Sequence, residues 1–156
     1  MGSLRGCAFP ADLHYHPASH LWFAAEEDDI WRVGVTSFGV AIAGEILLFT
    51  PKPAGRKLAA GRAFGLLEAG KTVFAVKTPL AADLLDSNPA LAHGASLMNV
   101  DAYRAWLVKL RIDPAQVEQS LLPWPQARAE IEVQMDLWRF EQLADFRPPL
   151  LGAAAR

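Results

Sequence analysis

The stretch 64–76 constrains this chain most. Two runs of strand-forming residues, Phe64-Gly65-Leu66-Leu67-Glu68 and Thr72-Val73-Phe74-Ala75-Val76, flank a turn that holds a glycine and then a lysine. Gly70 can take a positive φ with no Cβ penalty. The three intervening residues, Ala69-Gly70-Lys71, suit a bulged or slightly longer hairpin loop. The pattern predicts a β-hairpin with Lys71 exposed at its tip and a rigid sheet behind it. Taken alone, a lysine at such a tip reads as a solvated charge.

Further strand-type runs with turn signals at close spacing surround this hairpin. Leu21-Trp22-Phe23-Ala24-Ala25, the acidic turn Glu26-Glu27-Asp28-Asp29, and Ile30 to Thr36 read as an antiparallel hairpin. Thr36 or Ser37 is a candidate N-cap for a short helix through Ala43 that stops at Gly44. Glu45 to Thr50 reads as a strand, Arg56 to Arg62 as a turn region, Asp83-Leu84-Leu85 as a short strand, and Ser87 to Val100 as loop and short turns. The alternation in Trp106-Leu107-Val108-Lys109-Leu110 suits a last strand. Pro10 and Pro17 make residues 1–18 irregular. Together these signals indicate a mostly β protein, a small barrel or sandwich.

From Asp113 the character changes. Asp113-Pro114 starts a helix carrying Val117 and Leu121, which Pro123-Trp124-Pro125 breaks. Gln126 to Leu143 favours helix by propensity, with Ile131, Met135 and Trp138 on one face, although Ala127 to Leu137 also alternates with period two. The tail after Phe146 is expected to fray.

Length and composition narrow the function classes. The 156 residues, 52% of them hydrophobic, suit one well-filled core. A net charge of −2 with both signs scattered gives no basic face for nucleic acid. The apolar region Val33 to Phe49 is interrupted by Ser37, glycines and Glu45, and falls short of the roughly 20 residues of a membrane helix. One cysteine, Cys7, allows no internal disulfide framework. The expectation is a cytoplasmic protein with no membrane or nucleic-acid partner.

Several pieces then occur in a telling order: Ser19-His20-Leu21-Trp22; Val33-Gly34-Val35-Thr36; Gly44-Glu45-Ile46; Phe64-Gly65-Leu66-Leu67-Glu68 with Lys71; and Asn99, Tyr103 and Trp106-Leu107-Val108-Lys109-Leu110. By their order and spacing, the chain from about Pro10 to Ile112 resembles the H-protein of the glycine cleavage system, a lipoyl carrier. The resemblance implies a flattened β-barrel or sandwich, the barrel-sandwich hybrid of H-protein type, with C-terminal helices appended. It divides the chain into an N-terminal extension (1–18), a lipoyl domain (19–112), a C-terminal helical extension (113–146) and a tail (147–156). It also implies lipoic acid in amide linkage to Lys71, with Glu68, Ala69, Gly70 and Thr72 forming the hairpin around it. The carrier would be no enzyme itself but a substrate of partner enzymes, first among them a lipoate ligase or lipoyl transferase. An exposed turn suits an arm that a ligase must reach and that must then swing. The flanking Gly70 and Thr72 differ from the methionines of biotin carriers.

The departures from the family pattern bear on cargo. The family's Ser-His-Glu-Trp has Leu21 in place of its acid, and the acidic position four residues after the lysine is Ala75. A cationic aminomethyl cargo would lose carboxylate partners there. With Gly6-Cys7-Ala8-Phe9-Pro10 and Thr50-Pro51-Lys52-Pro53, these departures resemble the lipoate-binding proteins of sulfur-oxidising prokaryotes. That resemblance implies an arm carrying a sulfur intermediate, with a heterodisulfide-reductase-like complex and dihydrolipoamide dehydrogenase as partners. The alternative is aminomethyl transfer with glycine decarboxylase and aminomethyltransferase. A further alternative is an unmodified structural or regulatory relative, in which Lys71 is a bare surface lysine.

The remaining candidates are weaker. Glu68 reads either as part of the ligase-recognition surface or as a solubilising charge. Cys7 is a candidate redox thiol, able to exchange with a nearby dithiolane, or a free thiol tucked under the N-terminus. His14, His16 and His20 lack the carboxylate or cysteine partners a metal site needs, so no metal is expected. Lys52, Arg56, Lys57 and Arg62 suit either an acidic partner surface or a solvated sheet edge.

Overall fold

A computed structural model describes residues 2–70 and 72–146 of the chain. In order, the strands and helices are β1 (Gly2–Leu4), β2 (Cys7–Phe9), β3 (His14–His16), β4 (Leu21–Ala25), β5 (Ile30–Val35), α1 (Ser37–Ala43), β6 (Ile46–Pro51), β7 (Arg56–Leu58), β8 (Ala63–Ala69) and β9 (Thr72–Lys77). There follow β10 (Ala82–Ser87), α2 (Leu97–Val100), β11 (Val108–Arg111), α3 (Pro114–Ser120), β12 (Leu122–Pro123) and α4 (Trp124–Leu137). Among the described residues, a seven-stranded sheet in the order β12-β3-β4-β5-β11-β10-β7 faces a three-stranded sheet, β6-β8-β9. All pairings within these sheets are antiparallel. The fold is therefore mostly β, a flattened sandwich with helices appended at its C-terminal end, as the resemblance implied.

Alternation along β4 shows how one strand serves two cores. Leu21 and Phe23 point into the sandwich with Val33, Phe49, Phe64, Leu67, Leu84 and Leu110. Trp22 and Ala24, on the opposite face, join Phe9, Tyr15, Phe38, Trp124, Ile131, Met135 and Phe140. The period-two geometry of a strand makes this division, and both faces are covered, so four successive residues of β4 are buried. Trp22 lies flat against Gly34, the residue opposite it on β5. A Cβ at Gly34 would stand 2.5 Å from two indole carbons, so glycine is what lets the ring seat there.

The second core closes around the N-terminal segment. Arg5 ion-pairs with Asp136 at 2.8 Å and Glu132 at 3.4 Å, and donates to the Phe140 carbonyl at 2.9 Å. Phe9 stacks on Trp124 with ring centroids 4.8 Å apart. The Tyr103 hydroxyl donates to the Ala8 carbonyl, fastening the N-terminal hairpin to the sandwich.

Several elements match expectation: the β4–β5 hairpin, α1 with Thr36 accepting from the Gly39 N–H at 3.0 Å, and α3 capped by Asp113. Others differ. The described part of the N-terminal stretch, residues 2–18, is not irregular but holds β1, β2 and β3, because the tight Arg5-Gly6 turn (φ 51° and 85°) returns the chain on itself and Pro10 and Pro17 fall outside the strands. The turn region after Arg56 contains β7, an edge strand on β10 whose Arg56 and Lys57 keep it solvated. The helix begun at Asp113 does end before Pro123-Trp124-Pro125, at Ser120, but the same segment also starts α4, where Pro125 lacks only an N–H that the first turn leaves unpaired. That helix ends at Leu137, short of Leu143, and its buried face is Trp124, Ala127, Ile131 and Met135, with Trp138 half-buried just beyond. The strand expected from Trp106 begins at Val108, and it is not the last, since β12 follows at Leu122–Pro123. The expected fraying of the tail falls outside the described residues.

Candidate functional site

The central hairpin is tighter than its sequence suggests. Ala69 pairs with Thr72, so the turn holds two residues, Gly70 and Lys71, rather than three. Gly70 is in the left-handed region at φ +49°, where a side chain would be strained. Lys71 itself lies outside the described residues. Behind the turn the pairing runs Glu68 to Val73, Leu67 to Phe74 and Leu66 to Ala75, which places Glu68, Leu66, Val73 and Ala75 on the face turned away from the core.

The tip is tied down from its flank by β6. The Gly70 N–H donates to the Glu45 carbonyl at 3.0 Å, and the first pair of β6 with β8 is Ile46 with Ala69. Asn99 then clamps Ile46, accepting from its N–H and donating to its carbonyl, both at 2.8 Å. The Ala95 N–H donates to the Leu47 carbonyl at 2.9 Å. Gly44 (φ +93°) ends α1 and turns the chain into this position. Sequence reasoning noted Gly44-Glu45-Ile46 and Asn99 as matching pieces but missed that they support the tip. The signal was an amide side chain and an α1-terminating glycine, whose partners are distant in sequence.

Around the tip the surface is open and unusually apolar. A Cβ on Gly70 would meet nothing within 4 Å. Leu48, Leu66 and Val73 are 44%, 45% and 57% exposed on the outer face of the three-stranded sheet. Glu68 sits half-buried between Leu48 and Val73 in the register, so its carboxylate is bordered by apolar groups. Glu45 is exposed next to Gly70. Glu45 precedes β6 beside the turn and Glu68 lies one pair behind it in the register. Leu21 is 1% exposed and belongs to the sandwich core opposite Val35, whereas Ala75 lies on the exposed outer face.

The other sequence candidates lie apart from this hairpin. Cys7 is 1% exposed in the second core, and burial pushes its thiol up to about 11, so little thiolate exists at neutral pH. His16 Nδ1 lies 2.8 Å from Ser19 Oγ, and His14 meets Trp31 edge-on. His20 packs against Phe38, and burial, aided by His16, lowers it to about 4. Among the described residues no three His, Cys, Asp or Glu side chains come together as a metal site. Lys57 approaches Asp83 at 3.7 Å on the β7–β10 edge, where both are solvated. Trp124 covers the second core. No helix among the described residues is long and apolar enough to cross a membrane.

The arrangement fits a covalent arm. A short rigid turn presents its residues to an enzyme without local unfolding, small neighbours leave space, and a side chain anchored there swings from a fixed root. The family model described as Glycine cleavage H-protein matches residues 13–134. The chain is similar to glycine cleavage system H protein 2 of Aquifex aeolicus, 36% identical over 118 residues that cover 75% of this chain and 72% of that one. It is also similar to the glycine cleavage system H protein of Chlorobium limicola, 39% identical over 117 residues, 73% of this chain and 91% of that one. The crystal structure of a glycine cleavage system H protein from Mycobacterium marinum superposes with a TM-score of 0.65 at 26% identity, covering 81% of this chain and 98% of that one. With a family match over most of its length and the same fold in a solved member, this chain belongs to the glycine cleavage H-protein family of lipoyl carriers.

Proposed function

We propose that Lys71 bears lipoic acid in amide linkage, attached by a lipoate ligase or lipoyl transferase, and that the chain works in the cytoplasm as a carrier rather than a catalyst. In this reading the arm moves the aminomethyl group of glycine between glycine decarboxylase and aminomethyltransferase. The observation that carries it is the two-residue turn at Gly70-Lys71, pinned to Glu45, in a chain of this family. Bound lipoate would supply a dithiolane able to carry a thiol-linked group. The protein's own residues do the positioning. The Gly70–Glu45 and Asn99–Ile46 hydrogen bonds hold the root of the arm still. Leu48, Leu66 and Val73 offer apolar area for a partner to cover, and Glu68 adds a charge that orients it. Glu45 and Glu68 are the carboxylates available to a cationic cargo near the tip.

The sulfur-carrying reading, with a heterodisulfide-reductase-like complex and dihydrolipoamide dehydrogenase as partners, gains no support from the relatives, whose names fit glycine cleavage better. What favours it is the loss of carboxylates at Leu21 and Ala75, since sulfane sulfur needs no anionic partner. Intact mass after treatment with lipoate ligase tests the carrier claim: one lipoyl group is expected on the wild type and none on Lys71→Arg. No mass gain, or a gain that survives the substitution, would return the chain to the unmodified relatives. Incubating lipoylated protein with glycine and glycine decarboxylase then tests the cargo. Efficient aminomethyl loading, reduced in Glu45→Gln with Glu68→Gln, is expected, and failure to load leaves the sulfur reading ahead.

A further inference from the structure

A second site stands on elements that the hairpin does not use. The turn between β4 and β5, strand β3 and helix α3 enclose an open groove of about 410 Å³. Trp31, Val117 and Leu121 form its apolar wall, and His14, Asp29 and Glu118 supply its polar groups. Local structure fixes each of these. Asp28 and Asp29 both take left-handed φ, 58° and 61°, in the turn closed by the Ile30 N–H to the Glu27 carbonyl at 3.1 Å. The Ile112 N–H donates to the Asp29 carbonyl at 3.0 Å, tying the turn to the start of α3. Asp113 caps that helix by accepting from the Ala115 N–H at 2.9 Å, which sets where Val117 and Glu118 fall one turn later. His14 stands edge-on to Trp31, 5.3 Å between centroids and 80° between planes.

The lining chemistry is one-sided. Two acidic residues share the lining with a tryptophan and aliphatic residues, and among the described residues no lysine or arginine lines the groove. Burial keeps His14 below its ordinary value, so at neutral pH it adds no positive charge. The volume is within the roughly 300–1,000 Å³ of pockets that take small molecules. An ammonium beside carboxylates and an indole gains from ion pairing and from the ring's quadrupole, while an apolar body covers the aliphatic wall. We propose that the groove formed by Trp31, Val117, Leu121, Asp29 and Glu118 binds a small organic cation, a primary amine carrying an aromatic or branched apolar body. The groove uses no residue of β8 or β9, so the proposal is independent of what an arm at the hairpin carries.

Tryptamine is the probe, titrated into the full-length protein and followed by amide and indole N–H shifts. Saturable shifts at Trp31, Val117 and Glu118 are expected. The neutral analogue 3-ethylindole, and Nα-acetyl-lysinamide, which has the ammonium without the ring, should each bind at least tenfold more weakly. The double variant Asp29→Asn with Glu118→Gln keeps shape at two exposed positions, and asparagine tolerates the left-handed turn. It should retain native peak dispersion and lose at least tenfold in affinity. Non-saturable shifts, shifts centred elsewhere, or undiminished binding by the double variant or by 3-ethylindole would overturn the assignment. Equal affinity for Nα-acetyl-lysinamide would overturn it in favour of a partner protein's lysine.

Discussion

Restoring a carboxylate at Leu21 should damage this protein rather than equip it. Leu21 is 1% exposed, opposite Val35 and inside the sandwich core. Exchanging a fully buried leucine for a polar side chain forfeits about 1.5–3 kcal/mol of apolar burial. Ionisation adds to this. A buried glutamate rises by about 3 units from an ordinary value of about 4.3, and each unit corresponds to about 1.36 kcal/mol. The ionisation cost grows with pH between the unfolded and folded values, reaching about 3–4 kcal/mol at pH 7 and only about 1 kcal/mol at pH 5. Leu21→Glu should therefore lose about 5–6 kcal/mol at pH 7, comparable with the whole stability of an ordinary domain, and about 3 kcal/mol at pH 5. Leu21→Gln has no charge to bury, so its loss relative to wild type should be the same at both pH values. Urea unfolding of all three proteins at pH 5 and pH 7, each variant compared with wild type at the same pH, measures this. A Glu variant within 1 kcal/mol of wild type at pH 7, or one whose deficit does not exceed that of the Gln variant, would mean that the position can turn its side chain to solvent. A carboxylate there would then again be available to the arm.

Other expectations are simpler. Gly34→Ala puts a methyl 2.5 Å from the Trp22 ring, which its indole N–H holds on the Ala102 carbonyl at 3.2 Å, so overpacking of about 1–3 kcal/mol should outweigh the strand preference of alanine. A fall of roughly 3–8 °C in melting temperature is expected, and an unchanged or raised value would contradict the packing argument. His20, lowered to about 4 by burial, keeps its full contribution to stability above about pH 6.5. As pH falls from there towards 4 the unfolded chain takes up the proton first, and roughly 2–3 kcal/mol is lost. His20→Gln should flatten that part of a stability–pH curve, and an unaltered slope would assign the loss elsewhere. Cys7 should resist a soluble disulfide reagent in the folded protein and react promptly in urea, and fast native labelling would contradict its burial.

The parts legible in the sequence were those whose signals are local. Alternation and turn residues marked β4 and β5, Thr36 marked the start of α1, and the runs on either side of Gly70 marked the hairpin. The parts missed have partners far along the chain. Cys7, Phe9 and Tyr15 alternate too briefly to announce strands, and what covers them is α4 and Phe140. Charge in β7 hid an edge strand because its one buried side chain is Leu58. In α4 the period-two alternation of Ala127 to Leu137 competed with the helical spacing of Trp124, Ala127, Ile131 and Met135, and packing chose the latter. At the site, Glu68 and Gly70 followed from the hairpin. The support from Glu45 and Asn99 did not, since it consists of one backbone bond and one side-chain amide clamp that each span tens of residues.

The clasp between Arg5 and the end of α4 also sets a timetable. Its hydrogen bond to the Phe140 carbonyl joins residues 135 positions apart, so an emerging chain carries the first half of the second core long before the other half exists. At about 5–20 residues per second, roughly 7–27 s of translation separate them. Until translation reaches Trp124, Ile131 and finally Phe140, the side chains of Phe9, Tyr15 and Trp22 lack these partners. The strands of the lysine hairpin, by contrast, are both synthesised within the first half of the chain.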